Sequence, residues 1–463
     1  MPETESTGEA AGKGTSDAQI ISILALGVLM VALDIAVVAP ILPAIQREFH
    51  LTIRQLPWII GSYIIANLAA RPILGKLSDI LGRRMVFAGS AVIYAAGALV
   101  SFLSPSFGLL LAGRALQGFG NGGIFPVASA AVSDFLPPER RGRALHIMAS
   151  AIGIAFLVGI PAGGLLSLLG WRWVFAAGVP VAFAIALAAV STIPSTPRRQ
   201  VRTLDLPGTI FLVLMASAAA LGLNTIDFSS PLASFKTISV WPLFAIFLAA
   251  LLILALLERK AEEPVFRPGI LHGWRMKLGA HLILGVGVLE VGVVFLPVYA
   301  VTALGAPDIT AWLRLLPFLA VMAIATPFTN PLGGRRGTRW AVVGGALLVG
   351  AAMLAFGRMD LTSSAFYIAG AVAGLGFALL LSPSLRHKAI GDLPPDDHPA
   401  AQRLIFIFNV LGRLVGAAAF GALAASCEDA LTGFRHAYMA LACFALLVSL
   451  LSLLLSSRQT AEA

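Results

Sequence analysis

Charge is scarce in this chain. Asp, Glu, Lys and Arg together make up 12% of its 463 residues, where a soluble domain averages about 25%. Cysteine is nearly absent: Cys427 and Cys443 are the only two, too few for a disulfide framework or a cysteine metal site. No G-x-x-x-x-G-K-[ST] loop occurs, and no connecting segment is long enough for a nucleotide domain, which argues against an ATP-driven pump. The absence of H-E-x-x-H and G-x-S-x-G argues against an intramembrane hydrolase. No enzyme activity is expected. Alternating apolar and polar patterning is also missing.

What fills the chain instead is hydrophobic sequence, 58% of all residues. It falls in continuous runs of about twenty residues, the length that crosses a bilayer as helix. Continuity favours helices over a β-barrel. Spans are expected near 20–44, 56–75, 85–104, 108–132, 143–166, 173–193, 206–225, 239–257, 278–303, 309–330, 339–356, 363–384, 401–425 and 435–456. The expectation is an all-α polytopic membrane protein of fourteen transmembrane helices. Residues 1–19 and 457–463 read as tails, the first polar and disordered. The first apolar run lacks a strongly basic flank and contains Asp34, so it reads as a retained span rather than a cleaved signal peptide.

The net charge of +9 does not point to nucleic acid, because the basic residues sit in short connections. One set holds Lys76/Arg83/Arg84, Arg140/Arg141/Arg143, Arg198/Arg199/Arg202, Arg259/Lys260/Arg267/Arg275/Lys277, Arg335/Arg336/Arg339 and Arg386/Lys388/Arg403, with Lys13 and Arg458 in the tails. The alternate connections hold only Arg47, Arg54, Arg172, Lys236, Arg358 and Arg435. By the positive-inside rule the first set is cytoplasmic and both termini lie inside, which suits a plasma (inner) membrane protein.

The chain repeats itself. Gly75-Lys-Leu-Ser-Asp-Ile-Leu-Gly-Arg-Arg84 follows the second span, and Pro331-Leu-Gly-Gly-Arg-Arg-Gly-Thr-Arg339 follows the tenth. Leu77, Gly82 and Arg84 align with Leu332, Gly337 and Arg339. Asp134-Phe-Leu-Pro-Pro-Glu139 follows the fourth span, and Asp392-Leu-Pro-Pro-Asp396 the twelfth. Two loops recurring in order imply two six-helix halves, 20–193 and 278–456. A helix pair at 206–257 is inserted between linkers 194–205 and 258–277. Repeated halves are a common transporter plan, with the substrate site between them near the midplane.

These residues resemble the major facilitator superfamily over nearly the whole chain. Gly75–Arg84 is similar to its G-x-L-[SA]-D-x-x-G-R-R loop, and Arg114-Ala-Leu-Gln-Gly-Phe-Gly120 to its helix-4 motif R-x-x-Q-G-x-G. Leu33-Asp34 with Pro43, the inserted pair, and the stretch from Glu258-Arg259 to Pro264 resemble the fourteen-span drug:proton antiporter family. The helix-5 motif departs from G-P-x-x-G-G: Gly159, Pro161, Gly163 and Gly164 keep the glycine spacing, but the proline has moved by one. The resemblance implies a major facilitator fold, and a latch at Gly75, Asp79, Gly82, Arg83, Arg84 and Asp134 that holds the outward-open state.

Charged side chains inside a bilayer are expensive and face a cavity or a partner. Asp34, Arg71, Arg114, Glu290, Arg314 and Arg413 fall within spans. At about 1.5 Å per residue, Asp34 and Arg114 both stand roughly 21 Å from the inner face, and Glu290 and Arg413 both near roughly 18 Å. Two acid–arginine pairs facing a central cavity are expected, serving proton coupling or substrate contact. Asn67 and Asn409 are expected to hydrogen-bond between helices. Arg71 and Arg314 are expected to snorkel toward water. The sequence thus suggests a monomeric, proton-gradient-driven exporter of small hydrophobic or amphipathic compounds with no cofactor. A lipid or lipid-linked substrate is the alternative within transporters, and a non-transporting membrane sensor the alternative of another class.

Overall fold

The computed structural model describes residues 16–195, 205–234, 240–260, 268–329, 337–358, 362–391, 393–394 and 397–455. Lys13, Arg198, Arg199, Arg202, Lys236, Arg267, Arg335, Arg336, Asp392, Asp396 and Arg458 lie outside the described residues. So does most of the second-half loop, Pro331–Arg336.

The described regular structure is helical. A first group comprises α1 (Asp17–Ala36), α2 (Val38–Glu48), α3 (Pro57–Leu81), α4 (Arg83–Phe102), α5 (Phe107–Phe135), α6 (Pro138–Ser167) and α7 (Arg172–Thr192). Then come α8 (Leu206–Thr225), α9 (Pro231–Ser234) and α10 (Val240–Lys260). The second group comprises α11 (Trp274–Val294), α12 (Leu296–Leu304), a 3-10 turn at Ala311–Leu315, α13 (Leu316–Thr329), α14 (Gly337–Arg358), α15 (Ser363–Leu380), α16 (Pro383–Ile390), α17 (His398–Ala424) and α18 (Ala430–Ser452). Thirteen described helical stretches are long and apolar enough to cross a membrane. The fourteenth segment expected from sequence, 108–132, is α5. Its 29 residues are ample in length, but its glycines and Arg114, Gln117 and Asn121 make it the more polar exception.

Local chemistry sets the helix ends. Ser16 and Gln19 cap α1 reciprocally: the Gln19 amide donates to Ser16 Oγ, and the Ser16 amide donates to Gln19 Oε1, satisfying two otherwise orphaned donors. Ser106, Asp205, Thr362 and Asp429 cap α5, α8, α15 and α18 in the same sense. Three spans expected to be continuous are broken. The first splits at Val37, ahead of Pro40, and the ninth at Phe295, ahead of Pro297. The twelfth splits between Leu380 and Pro383. In the first two, the proline lacks an amide donor and its ring crowds the carbonyl four residues back.

Close packing in the first group depends on α5. A Cβ at Gly118 would run into the Tyr63 carbonyl of α3, and one at Gly120 into the backbone of α4 at Tyr94. Small residues let helices approach at backbone distance, the main source of helix association in a membrane. In the second group, Gly287 and Gly412 do the same between α11 and α17. A dry aromatic cluster of Tyr299, Phe356, Phe366 and Tyr438 joins α12, α14, α15 and α18.

The two groups meet at the end remote from the basic loops. There α2 touches α12 and the Ala311–Leu315 turn, and α6 touches that turn. Arg47 pairs with Asp308 at 3.0 Å. Along one side α3 lies against α17, with Pro57 on Gly421. The pair α8 and α10 pack on each other, and α8 also rests on both α3 and α17. At its end, Asn224 bridges the groups. Its Nδ2 donates to the Arg54 carbonyl (3.2 Å) and the Ala418 carbonyl (3.4 Å). Trp58 Nε1 donates to its Oδ1, and Arg54 Nη1 to its carbonyl.

Candidate functional site

The helix phase of α5 places Arg114, Gln117 and Asn121 on one face, three and four residues apart. Arg114 Nη1 donates to both Asp34 oxygens at 3.0 Å and to Gln117 Oε1 at 3.0 Å. Gln117 Nε2 and Tyr94 OH both donate to Asp34 Oδ1, at 3.0 and 3.2 Å. Arg114 Nε donates to the Ile59 carbonyl, and its guanidinium lies 4.6 Å from the Tyr63 ring centroid. Ser101 Oγ donates to Gln117, and Asn121 Nδ2 to Tyr63 OH. Donors from α4 and α5 thus converge on the α1 carboxylate, and α3 joins the network through Ile59 and Tyr63. The side chains of Asp34 and Arg114 are each 2% exposed, so the pair is enclosed within the first group rather than facing an opening as expected.

The second pair is arranged differently. Glu290 on α11 and Arg413 on α17 approach to 3.3 Å. Asn409, one turn before Arg413, donates from Nδ2 to Glu290 Oε1 at 3.3 Å and accepts from Arg413 Nη2 at 2.7 Å. Arg413 Nε, although in ion-pair range, makes no hydrogen bond. The side chains of Arg413 and Glu290 are 24% and 21% exposed, so this pair keeps access to solvent.

Arg71 does not snorkel. Its Nε donates to Asn67 Oδ1 at 2.9 Å, and its guanidinium stacks 3.4 Å from the Phe406 centroid on α17. Asn67 Nδ2 donates to the Gly118 carbonyl at 3.2 Å. Asn67 and Asn409 thus both hydrogen-bond across helices. Arg314 lies over the Tyr367 ring.

At the basic end, Gly82 has φ +92°, a conformation open to glycine, and turns α3 directly into α4. The first residue of α4, Arg83, is thereby aimed back at α3 and α5. Its Nε donates to Asp134 at 2.9 Å, and its terminal nitrogens reach Asp79 and Ser78 Oγ. Ser78 Oγ donates to the Gly75 carbonyl at 2.6 Å. Arg84 stands outside this cluster. On α6, Gly159 lies against Ala36 and Leu33, Gly163 against Val37, and Gly164 against the Trp312 indole. These glycines, one turn around Pro161, seat α6 on the α1–α2 break and on the second group. Gly153, in open space, is not part of that surface.

Gln117 carried a sequence signal that the charge argument passed over, since it stands in the motif that contains Arg114. Tyr94, Tyr63 and Phe406 carried none, because only tertiary packing brings them in.

The sequence model of the Major Facilitator Superfamily matches residues 24–289, more than half of the chain. The chain belongs to this superfamily. It is 30% identical over 87% of its length to the uncharacterized MFS-type transporter Rv1877 of Mycobacterium tuberculosis (strain ATCC 25618 / H37Rv), of which it spans only 59%. It is 29% identical to the puromycin resistance protein pur8 of Streptomyces alboniger, over 92% of this chain and 88% of that protein. Among solved structures, a bacterial homolog of the human lysosomal transporter Spinster, inward-facing and occupied, superposes with a TM-score of 0.70. That match has 16% identity and covers 97% of this chain and 100% of that one.

Proposed function

We propose that the protein is a proton-coupled exporter of hydrophobic or amphipathic compounds. It works as a monomer by alternating access between two six-helix halves, in the cell (inner) membrane with its basic loops and both termini cytoplasmic. The proton gradient is its energy source, and no cofactor is required. The observation that carries this reading is the Glu290–Asn409–Arg413 cluster, a solvent-accessible carboxylate paired with a cation inside a membrane span. Intramembrane acids of this kind mark proton or substrate pathways. Protonating Glu290 removes the charge that holds Arg413, so proton occupancy and the local arrangement of α11 and α17 become linked. The contacts among α2, α6, α12 and Ala311–Leu315 suit a state closed on the outer side. Resemblance to puromycin and multidrug resistance proteins supports drug-like cargo.

The test is transport driven by a pH gradient in proteoliposomes. Glu290→Gln is expected to reduce gradient-driven flux at least tenfold while leaving counterflow of the substrate measurable. Full gradient-driven flux in this variant would remove proton coupling through Glu290.

A further inference from the structure

The two helix groups meet along two seams that differ. At one, α3 lies antiparallel on α17 and stays in contact toward the basic-loop end. Pro57 meets Gly421, Leu414 packs at Gly61, and Arg71 lies over Phe406. The inserted pair covers this seam. Leu212 and Met215 of α8 share one buried apolar cluster with Ile64 and Leu68 of α3 and with Val410 and Leu414 of α17.

The other seam, between α6 and α13, is closed at the end remote from the basic loops. There Gly164 lies against the Trp312 indole, and Ile160 and Phe156 join the apolar cluster that spans both groups. Closer to the basic loops the closure ends. From 142 to 154, α6 buries only Ala144, Met148 and Ala151, and every other residue there is exposed. The helix face that carries Gly164, Ile160 and Phe156 continues through Gly153, Ala149, His146 and Gly142. All four are exposed, and a Cβ at Gly153 or Gly142 would meet nothing within 4 Å. On α13, Ile324 and Phe328 are 67% and 73% exposed. Ile324 stands as far from Trp312 along the chain as Gly153 does from Gly164, roughly 17 Å at helical rise. The seam is thus parted at this depth, and the inserted pair packs elsewhere, on α3 and α17. Glu290 and Arg413 keep solvent access in mid-span, so the space between the groups is open at their level.

We propose that the parted α6–α13 seam is a side entrance through which a single-chain amphiphile passes from the cytoplasmic-side leaflet into the space between the groups, toward Glu290. By covering the α3–α17 seam, the inserted pair confines lateral entry to this side. The proposal rests on the transporter reading above and gives its substrate a route. Each buried CH2 favours the bilayer over water, so amphiphiles collect in the lipid where α6 and α13 part. Entry through the seam keeps the chain in apolar surroundings, whereas entry from water first exposes it. Ser150 Oγ donates to the His146 carbonyl at 3.0 Å, which leaves no unsatisfied hydroxyl proton facing the lipid. His146 is the one polar side chain on the seam face and is suited to touch the head of the amphiphile.

The experiment photolabels the full chain in proteoliposomes with three diazirine probes. One carries a dodecyl chain and dissolves in the bilayer, one carries an ethyl group and stays in water, and one is a two-chain phosphatidylcholine. The readout is labelling of Glu290, measured by mass spectrometry. The variants are Gly153→Trp and His146→Trp at the seam, with Leu252→Trp on the exposed face of α10 as control. Dodecyl labelling of Glu290 should fall at least tenfold in both seam variants and stay unchanged in the control. Ethyl labelling should stay within twofold throughout, which shows that each variant is folded and its interior open. The entrance is overturned by dodecyl labelling that is absent from the unsubstituted chain, kept in both seam variants, or lost equally in the control. A parallel loss with the ethyl probe overturns it too, since the bulk then closes the interior and not the seam. Phosphatidylcholine labelling as strong as dodecyl labelling would reassign the entrance to membrane lipid and overturn the single-chain occupant. Gradient-driven flux of an unreactive dodecyl analogue is measured in parallel. Seam-dependent labelling without flux sinks only the proposed export, whereas flux without seam-dependent labelling sinks only the entrance.

Discussion

Asp34–Arg114 and Glu290–Arg413 are the same chemical pair placed in two different settings. In the first group, the carboxylate takes hydrogen bonds from Arg114, Gln117 and Tyr94, and both charged side chains are shut off. In the second group, the carboxylate has Arg413 and Asn409, one arginine nitrogen goes without a hydrogen bond, and about a fifth of each side chain remains exposed. A fully bonded dry pair resists change, because removing either partner strands a charge in low dielectric. A looser, wetter pair gives up little when its protonation changes. The first is therefore suited to hold helices together in the state described, and the second to respond.

The largest effect is expected from breaking the dry pair. Arg114→Met should lower stability by about 3–5 kcal/mol, while Glu290→Gln should cost only up to about 1 kcal/mol. Thermal unfolding in detergent measures both, and equal losses would erase the distinction. Next in size is the contact between groups. Gly164→Val would push into the Trp312 indole at a cost of about 1–3 kcal/mol. It should lower the cross-linking yield of an Arg47→Cys/Asp308→Cys pair in a background lacking Cys427 and Cys443. An unchanged yield would show that the α6 glycines do not govern closure at that end. The smallest effect sharpens the comparison from within. Tyr94→Phe removes one hydrogen bond to Asp34 and should cost about 1 kcal/mol. No measurable change would mean that Arg114 and Gln117 satisfy the carboxylate without it.

Much of this architecture was legible in one dimension. Hydrophobic run length located α4, α7 and α8 closely, because a bilayer imposes length and helicity together. Depth along each helix sufficed to match Asp34 with Arg114 and Glu290 with Arg413. Depth says nothing about azimuth, however, so it could not tell that Asp34 turns inward to α4 and α5. The breaks at Val37 and Phe295 were written in Pro40 and Pro297, yet an apolar run hides a break that leaves hydrophobicity unchanged. Arg71 was read as snorkelling because Phe406 is 335 positions away in sequence and close only through the α3–α17 packing.

The inserted pair has divided attachments. Its polar tip, Asn224, holds Arg54 and Trp58 of the first group by three hydrogen bonds, and the second group through the Ala418 carbonyl. Phe228 N, just beyond, donates to Ser426 Oγ of the second group. The apolar length of α8 lies more extensively along α17 than along α3. Motion that parts α3 from α17 therefore cannot carry the pair along whole with either side. Following the first group means shearing off an apolar face, which lipid tails can cover, and losing two hydrogen bonds, to the Ala418 carbonyl and Ser426 Oγ. Following the second means unbonding a buried carboxamide, which lipid cannot satisfy. Three hydrogen bonds to the first group against two to the second predict that α8 and α10 move with the first; a spectroscopic distance between α8 and α3 should then stay fixed while that between α8 and α17 changes.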